Sequence, residues 1–219
     1  MTLSATAGYL DAVGFLHLRR HFVSFMSGNT TDLATEIGGG RWGAIGLPAA
    51  LIGCFFAGTV LGAILVHVWD GRTTVLGVTA LLVVATAIAV SVTSALAPVV
   101  VGLPLAMGVV NATFLRGGET SIGLTYMTGA LVKAGQRLVD AFRGGPRFLW
   151  LRNLALWAAL LAGGITGAVG HGLLGMPGAL WPPAALLIVL TVVVAADRRR
   201  RGIFGSGAHT ATEREIKVL

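Results

Sequence analysis

Charge is absent from three long stretches of this chain: Trp42–Trp69 (28 residues), Thr73–Leu115 (43 residues) and Asn153–Ala196 (44 residues). A hydrocarbon core of roughly 30 Å takes about 20 helical residues, so these runs hold one, two and two membrane spans. The stretch Leu3–Leu18 adds a sixth, shorter span interrupted by Asp11. The predicted spans are 3–18, 44–68, 75–95, 98–116, 148–173 and 180–196. A mean hydropathy of +0.82 with 11% charged residues places the chain among integral membrane proteins.

The same features exclude other classes. Cys54 is a lone cysteine, so no disulfide framework is available. The N-terminus lacks the basic region of a signal peptide and carries Asp11 in its apolar stretch. The net charge of +7 does not point to nucleic acid, because the basic residues flank apolar spans, where they set orientation and meet anionic headgroups. Lys133, Arg137, Arg143, Arg147 and Arg152 precede the fifth span and Arg198–Arg201 follow the sixth, so both termini are expected on the cytoplasmic side of an inner membrane.

Matched motifs recur in the two halves in the same order. Gly8-Tyr9-Leu10-Asp11-Ala12 matches Gly108-Val109-Val110-Asn111-Ala112 at an offset of 100, and Met26-Ser27-Gly28 matches Met127-Thr128-Gly129 at 101. Gly58-x-x-x-Gly62 matches Gly163-x-x-x-Gly167 at 105. These imply two membrane repeats, 1–97 and 98–196, followed by a polar cytoplasmic tail, 197–219. If the polar segments 19–43 and 117–147 do not cross, each repeat has three spans and the second is inverted, the favoured version. If they cross, the repeats are parallel. The fold class is thus an all-α integral membrane protein of about six transmembrane helices.

Each polar segment carries an extended run followed by a short helix. Phe22–Met26 has β-type composition, Ser27–Thr31 offers N-cap residues, acids follow in the first turns, and Gly38-Gly39-Gly40 ends the helix. Ser121–Gly129 and Ala130–Arg143 repeat the plan, closed by Gly144-Gly145-Pro146. A helix start exposes unpaired N–H donors, and a glycine there lets a solute approach the backbone. A solute site is therefore expected from Asp11, Ser27, Gly28, Asn29, Thr30, Asn111, Thr128 and Gly129. Asp11, the one acid inside a span, would carry a proton or cation, and Asn111 would orient solute. A structural hydrogen bond from Asp11 is the competing reading.

Gly8-Tyr-Leu-Asp-Ala12, Phe22-Val-Ser-Phe-Met-Ser-Gly-Asn-Thr30, Gly108-x-x-Asn111-Ala112 and Thr128-Gly129 resemble the signature of the YoaK family of bacterial membrane proteins. The resemblance implies a six-span inner-membrane protein and carries no biochemical activity with it. The second half departs from the first, with Ala130 for Asn29 and Lys133 for Asp32.

No catalytic, cofactor or metal constellation is visible, so an enzyme is not expected. The expectation is a small secondary transporter or facilitator of a small polar or anionic solute; the alternative is a membrane scaffold or regulatory subunit. Its partners would be the lipid bilayer, the solute and a second copy packed through the glycine stripes.

Overall fold

The computed structural model describes residues 1–68, 71–93, 95–116, 119–120 and 127–216; side chains of 114–116, 119–120, 127 and 201–216 are outside that description. Eight α-helices follow in order: α1 Thr2–His17, α2 Met26–Gly38, α3 Gly46–Val68, α4 Gly71–Val92, α5 Ala97–Asn111, α6 Met127–Phe142, α7 Leu149–Ala179 and α8 Trp181–Ile216. A 3-10 turn, Ala112–Phe114, and a two-residue antiparallel ladder of β1 (Leu115–Arg116) with β2 (Glu119–Thr120) follow α5. Four helices are long and apolar enough to cross a membrane: Gly46–Val68, Gly71–Val92, Leu149–Ala179 and Trp181–Arg200. The other two expected spans, α1 and α5, are 16 and 15 residues long, about 24 and 22 Å at 1.5 Å per residue. They are the inner helices, and Leu10, Val13, Val99, Leu103 and Met107 in them are almost fully buried.

What holds the bundle is backbone laid against backbone. In a bilayer, burying apolar side chains gives helices no reason to associate, so close packing and weak C–H···O contacts must do so. A Cβ on Gly163 would overlap the carbonyl of Ala5, one on Gly167 the carbonyl of Tyr9, and one on Gly8 the carbonyl of Leu160, so α1 and α7 touch along their main chains. Between α3 and α5, Gly58 meets Leu105, Gly62 meets Val109 and Gly108 meets Phe55 in the same way. Each contact of the second set is the first shifted by the offsets of the sequence motifs: Ala5 to Leu105 and Tyr9 to Val109 by 100, Gly58 to Gly163 and Phe55 to Leu160 by 105. Both glycine stripes, expected to join the two halves or two copies, are taken up inside the chain.

Other packing follows the same plan: α2 lies on α3 and α6 on α7, while α4 packs against both α5 and α8. Contact between α4 and α5 is intimate, since a Cβ on Gly102 would overlap the Thr86 hydroxyl. Contact between α8 and α1 is slight.

Several expectations are corrected. Phe22–Met26 forms no strand, because its backbone groups are bonded by side chains instead of a neighbouring strand. The helix after it starts at Met26 with Phe25 as N-cap and no side-chain cap. Thr30 and Thr31, expected as caps, donate back to the carbonyls of Met26 (2.8 Å) and Ser27 (3.0 Å), and the acids begin only after the first turn, at Asp32. The fourth span ends at Asn111 rather than 116, and α8 carries on through the basic run to Ile216, well into the expected tail. The glycine stops stand: Gly39 caps α2, and Gly40 and Gly144 have φ of +67° and +92°. Of the extended part expected over 121–129, residues 121–126 lie outside the described residues, and 127–129 already belong to the helix, which starts at Met127 instead of Ala130.

Gly163→Ala and Gly58→Ala each force an interlocked pair of helices apart. We expect a loss of about 1–3 kcal/mol from overpacking, read as a lowered Tm in detergent. Gly53→Ala, with nothing within 4 Å of the added Cβ, should leave Tm unchanged or raise it slightly through helix propensity.

Candidate functional site

The chain leaves α1 through two consecutive left-handed residues, Arg19 (φ 53°) and Arg20 (φ 75°), an uncommon conformation for residues bearing a Cβ. Arg20 N–H closes the helix end on the Phe15 carbonyl at 2.9 Å. The turn sends residues 21–25 back along α1, where Val23 packs on the bare face of Gly14. Here Asp11 receives three hydrogen bonds: the N–H groups of Val23 (3.0 Å) and Ser24 (2.9 Å) donate to Oδ1, and the Ser24 hydroxyl donates to Oδ2 at 2.6 Å.

The other side of the same segment is held by Asn29, which is 1% exposed. Its Nδ2 donates to the Phe22 carbonyl at 2.7 Å, and Phe22 N–H donates to its Oδ1 at 3.0 Å. One amide thus satisfies both main-chain groups of Phe22, as a neighbouring strand would. Gly28 leaves room for aromatic rings: a Cβ there would lie 2.8 Å from Phe25 and 2.9 Å from Phe22, whose rings meet edge-on at 5.2 Å. A further pair clamps the outer end, His21 Nε2 to Asp32 Oδ2 at 2.9 Å.

The expected site residues therefore divide. Asp11, Gly28 and Asn29 come together, and they fix the α1–α2 connection. Ser27 and Thr30 are exposed on α2. Asn111 is the last residue of α5, donating to the Met107 carbonyl at 2.7 Å. Thr128 and Gly129 are the second and third residues of α6, one exposed and one buried, just as Ser27 and Gly28 occupy the second and third positions of α2. Lining up Met26 with Met127 thus gives the same register in both helices.

A feature that sequence reasoning missed lies elsewhere. A cavity of about 300 Å³ opens between α1, α7 and α8, lined by Ala5, Thr6, Tyr9, Ala162, Gly163, Thr166, Pro182, Pro183 and Leu186. It occupies the place where α8 and α1 fail to close. At the equivalent place α4 packs directly against α5. The cavity's three hydroxyl-bearing residues Thr6, Tyr9 and Thr166 correspond to Ala106, Val109 and Leu61 at offsets of 100, 100 and 105. Thr6 and Thr166 donate to backbone carbonyls of their own helices, leaving oxygen lone pairs free; the Tyr9 hydroxyl has no hydrogen-bond partner among the described residues. Among the described residues no charged side chain lines the cavity. The signal was present in the sequence as hydroxyls that one repeat has and the other lacks, but only the packing tells that the three converge.

Two tests follow from the α1–α2 connection. Asp11→Ala strands two N–H donors and Asn29→Ala strands both main-chain groups of Phe22, at about 1–3 kcal/mol for each unsatisfied buried group. Both should lower Tm clearly, and Ser24→Ala should add little on top of Asp11→Ala in a double-mutant cycle. At the end of α2, Arg41 donates to Glu36 through Nε at 2.6 Å and Nη2 at 3.0 Å, and this bonding holds the Glu36 carboxyl below its usual value. A depressed folded value means that the pair stabilises above the ordinary glutamate pKa and is lost as pH falls through the folded one. Hydrogen exchange at Arg41, whose N–H bonds the Glu36 carbonyl, should therefore lose protection on acidification. In Glu36→Gln, protection should be lower already at neutral pH and should no longer change with acid.

Residues 1–193 match the family model described as protein of unknown function (DUF1275). A UPF0700 transmembrane protein of Rhizobium meliloti (strain 1021) is 34% identical over 186 residues, covering 83% of this chain and 78% of that protein. No solved structure matches. The match takes in all the motifs quoted above and the helices that carry them, and the chain belongs to the DUF1275 family of membrane proteins.

Proposed function

We propose that this protein is a small membrane carrier made of two inverted three-span repeats, which moves a small uncharged solute through the cleft between α1, α7 and α8. The observation that carries this reading is an asymmetry within a duplicated plan. The two interlocked pairs, α1 with α7 and α5 with α3, use the same contacts. The outer helices differ: α4 closes on α5, whereas α8 stands off α1 and leaves the cavity. In carriers built from inverted repeats, exchanging such unequal packings converts an opening on one side into an opening on the other.

The cleft is preferred over the helix starts at Gly28 and Gly129 because Asp11 and Asn29, expected to face solute, are occupied by the chain's own backbone. With three hydroxyls and no charge in its lining, the cleft suits a small, largely apolar molecule bearing a hydrogen-bonding group better than an anion. On this reading both termini face the cytoplasm, and the protein acts without catalysis. The rigid α1–α2 connection then serves as the fixed frame against which α8 moves.

Cysteine pairs in a Cys54→Ala background test the exchange. A Cβ on Gly102 would sit 3.1 Å from the Thr86 Cβ, within a small shift of disulfide spacing, so Thr86→Cys/Gly102→Cys should oxidise readily. The equivalent pair by offset is Thr191→Cys/Thr2→Cys. A carrier that exchanges its packings forms this second disulfide slowly, and forming it prevents the first. If the second pair never links under conditions that fully link the first, the asymmetry is static and the scaffold reading replaces the carrier.

A further inference from the structure

The two helices that start at the matched Met26 and Met127, α2 and α6, carry opposite charges at equivalent positions. With Met26 aligned on Met127, Asp32 corresponds to Lys133 and Glu36 to Arg137. Their pairing differs as well. The two acids are satisfied within the chain, Asp32 by His21 and Glu36 by Arg41. Lys133, Arg137, Arg143, Arg147 and Arg152 form no ion pair among the described residues, and between 127 and 152 they are opposed by a single acid, Asp140.

The rest of α6 is shaped for an interface. At 100° per residue its surface falls into three sectors. Ala130 and Ala134 are buried on the side that packs against α7. Leu131, Leu138, Val139 and Phe142 form an apolar sector open to the outside, with Phe142 85% exposed and Phe148, just beyond the helix, 73% exposed. Lys133, Gln136, Asp140 and Arg143 make the polar sector, all exposed. An exposed apolar strip bordered by unpaired cations is the pattern of a helix lying in the headgroup layer of a negatively charged leaflet.

We propose that α6, together with the α6–α7 connection, docks anionic phospholipid headgroups, with Lys133 and Arg137 one turn apart on the phosphate and Leu138, Val139 and Phe142 among the acyl chains. Charge complementarity selects the occupant. A zwitterionic leaflet offers five bases and one acid no net counter-charge, and a solute anion has no use for the apolar strip beside them. On the inverted-repeat reading proposed above, the acidic helix α2 lies at the opposite face; the docking of α6 itself requires no transport activity.

The test uses the purified full-length protein in vesicles of phosphatidylcholine, with or without phosphatidylglycerol. Phosphatidylglycerol should raise the Tm of the wild type, an effect weakened by added salt. At about 1 kcal/mol per basic residue near the surface, Lys133→Gln/Arg137→Gln should lower the apparent affinity for phosphatidylglycerol roughly 30-fold. Because Lys133 is exposed and Arg137 half-buried at the edge of the α7 contact, with neither in an ion pair among the described residues, its Tm in phosphatidylcholine alone should stay close to that of the wild type. Asp32→Asn/Glu36→Gln, which raises the net charge by the amount the first pair lowers it, should leave the lipid preference unchanged. An unaltered preference in Lys133→Gln/Arg137→Gln overturns the proposal. So does an equal change in Asp32→Asn/Glu36→Gln, which would mean a bulk charge effect. A Tm rise produced in phosphatidylcholine by inorganic phosphate alone also overturns it in favour of a free-anion site.

Discussion

Main chain pressed on main chain at six glycines is the constraint from which the rest of the molecule follows. Gly8, Gly163 and Gly167 bring α1 against α7, and Gly108, Gly58 and Gly62 bring α5 against α3. A bilayer supplies no solvent-driven force to hold helices together, so association depends on how many atoms can come into close contact. Removing the Cβ on both sides gives the shortest possible approach and lets α1 and α5 be short, since they are enclosed by protein along most of their length. The chain is thereby interlocked: each half's first helix is seated on the other half, and neither can form its core alone.

Seating α1 in this way creates a second requirement. The chain must turn at residue 18 and return to start α3 without leaving polar backbone exposed in an apolar setting. Asp11 and Asn29 meet it from opposite sides of the 22–24 segment, accepting from or donating to four of its main-chain groups. The acid and the amide of the family motif are thus building elements of the turn. A buried carboxylate is tolerable here because three donors converge on it, two of them backbone amides already held in place by the helix end.

The two halves share a plan and differ where a membrane protein must be asymmetric. Hydroxyls of Thr6, Tyr9 and Thr166 gather in one cleft, whereas Ala106, Val109 and Leu61 stand at the equivalent positions, where α4 packs on α5. Asp32 and Glu36 on α2 are bonded to His21 and Arg41, while the bases on α6 form no ion pair among the described residues. Matched helix contacts recur at the offsets of the motifs, and substitutions at single positions, Asp32 against Lys133 or Thr6 against Ala106, distinguish the two halves.

By itself the sequence determined the membrane class, the helix order and the glycine stops, because each rests on local properties: hydropathy over about 20 residues and the φ freedom of glycine. The family too was legible from Gly8–Ala12 and Phe22–Thr30. Tertiary structure alone decided what those motifs touch. A lone acid in an apolar helix reads as a proton carrier or as a hydrogen-bonding post, and only the turn at Arg19 and Arg20, which brings Val23 and Ser24 back over Asp11, shows what it bonds. Phe22–Met26 looked like a strand because its residues favour extended backbone, yet strand pairing needs a neighbour, and side chains took that place. The cleft was invisible for the same reason: Thr166 lies 160 residues beyond Thr6 and 157 beyond Tyr9, and only the glycine contacts between α1 and α7 set the three around one cavity.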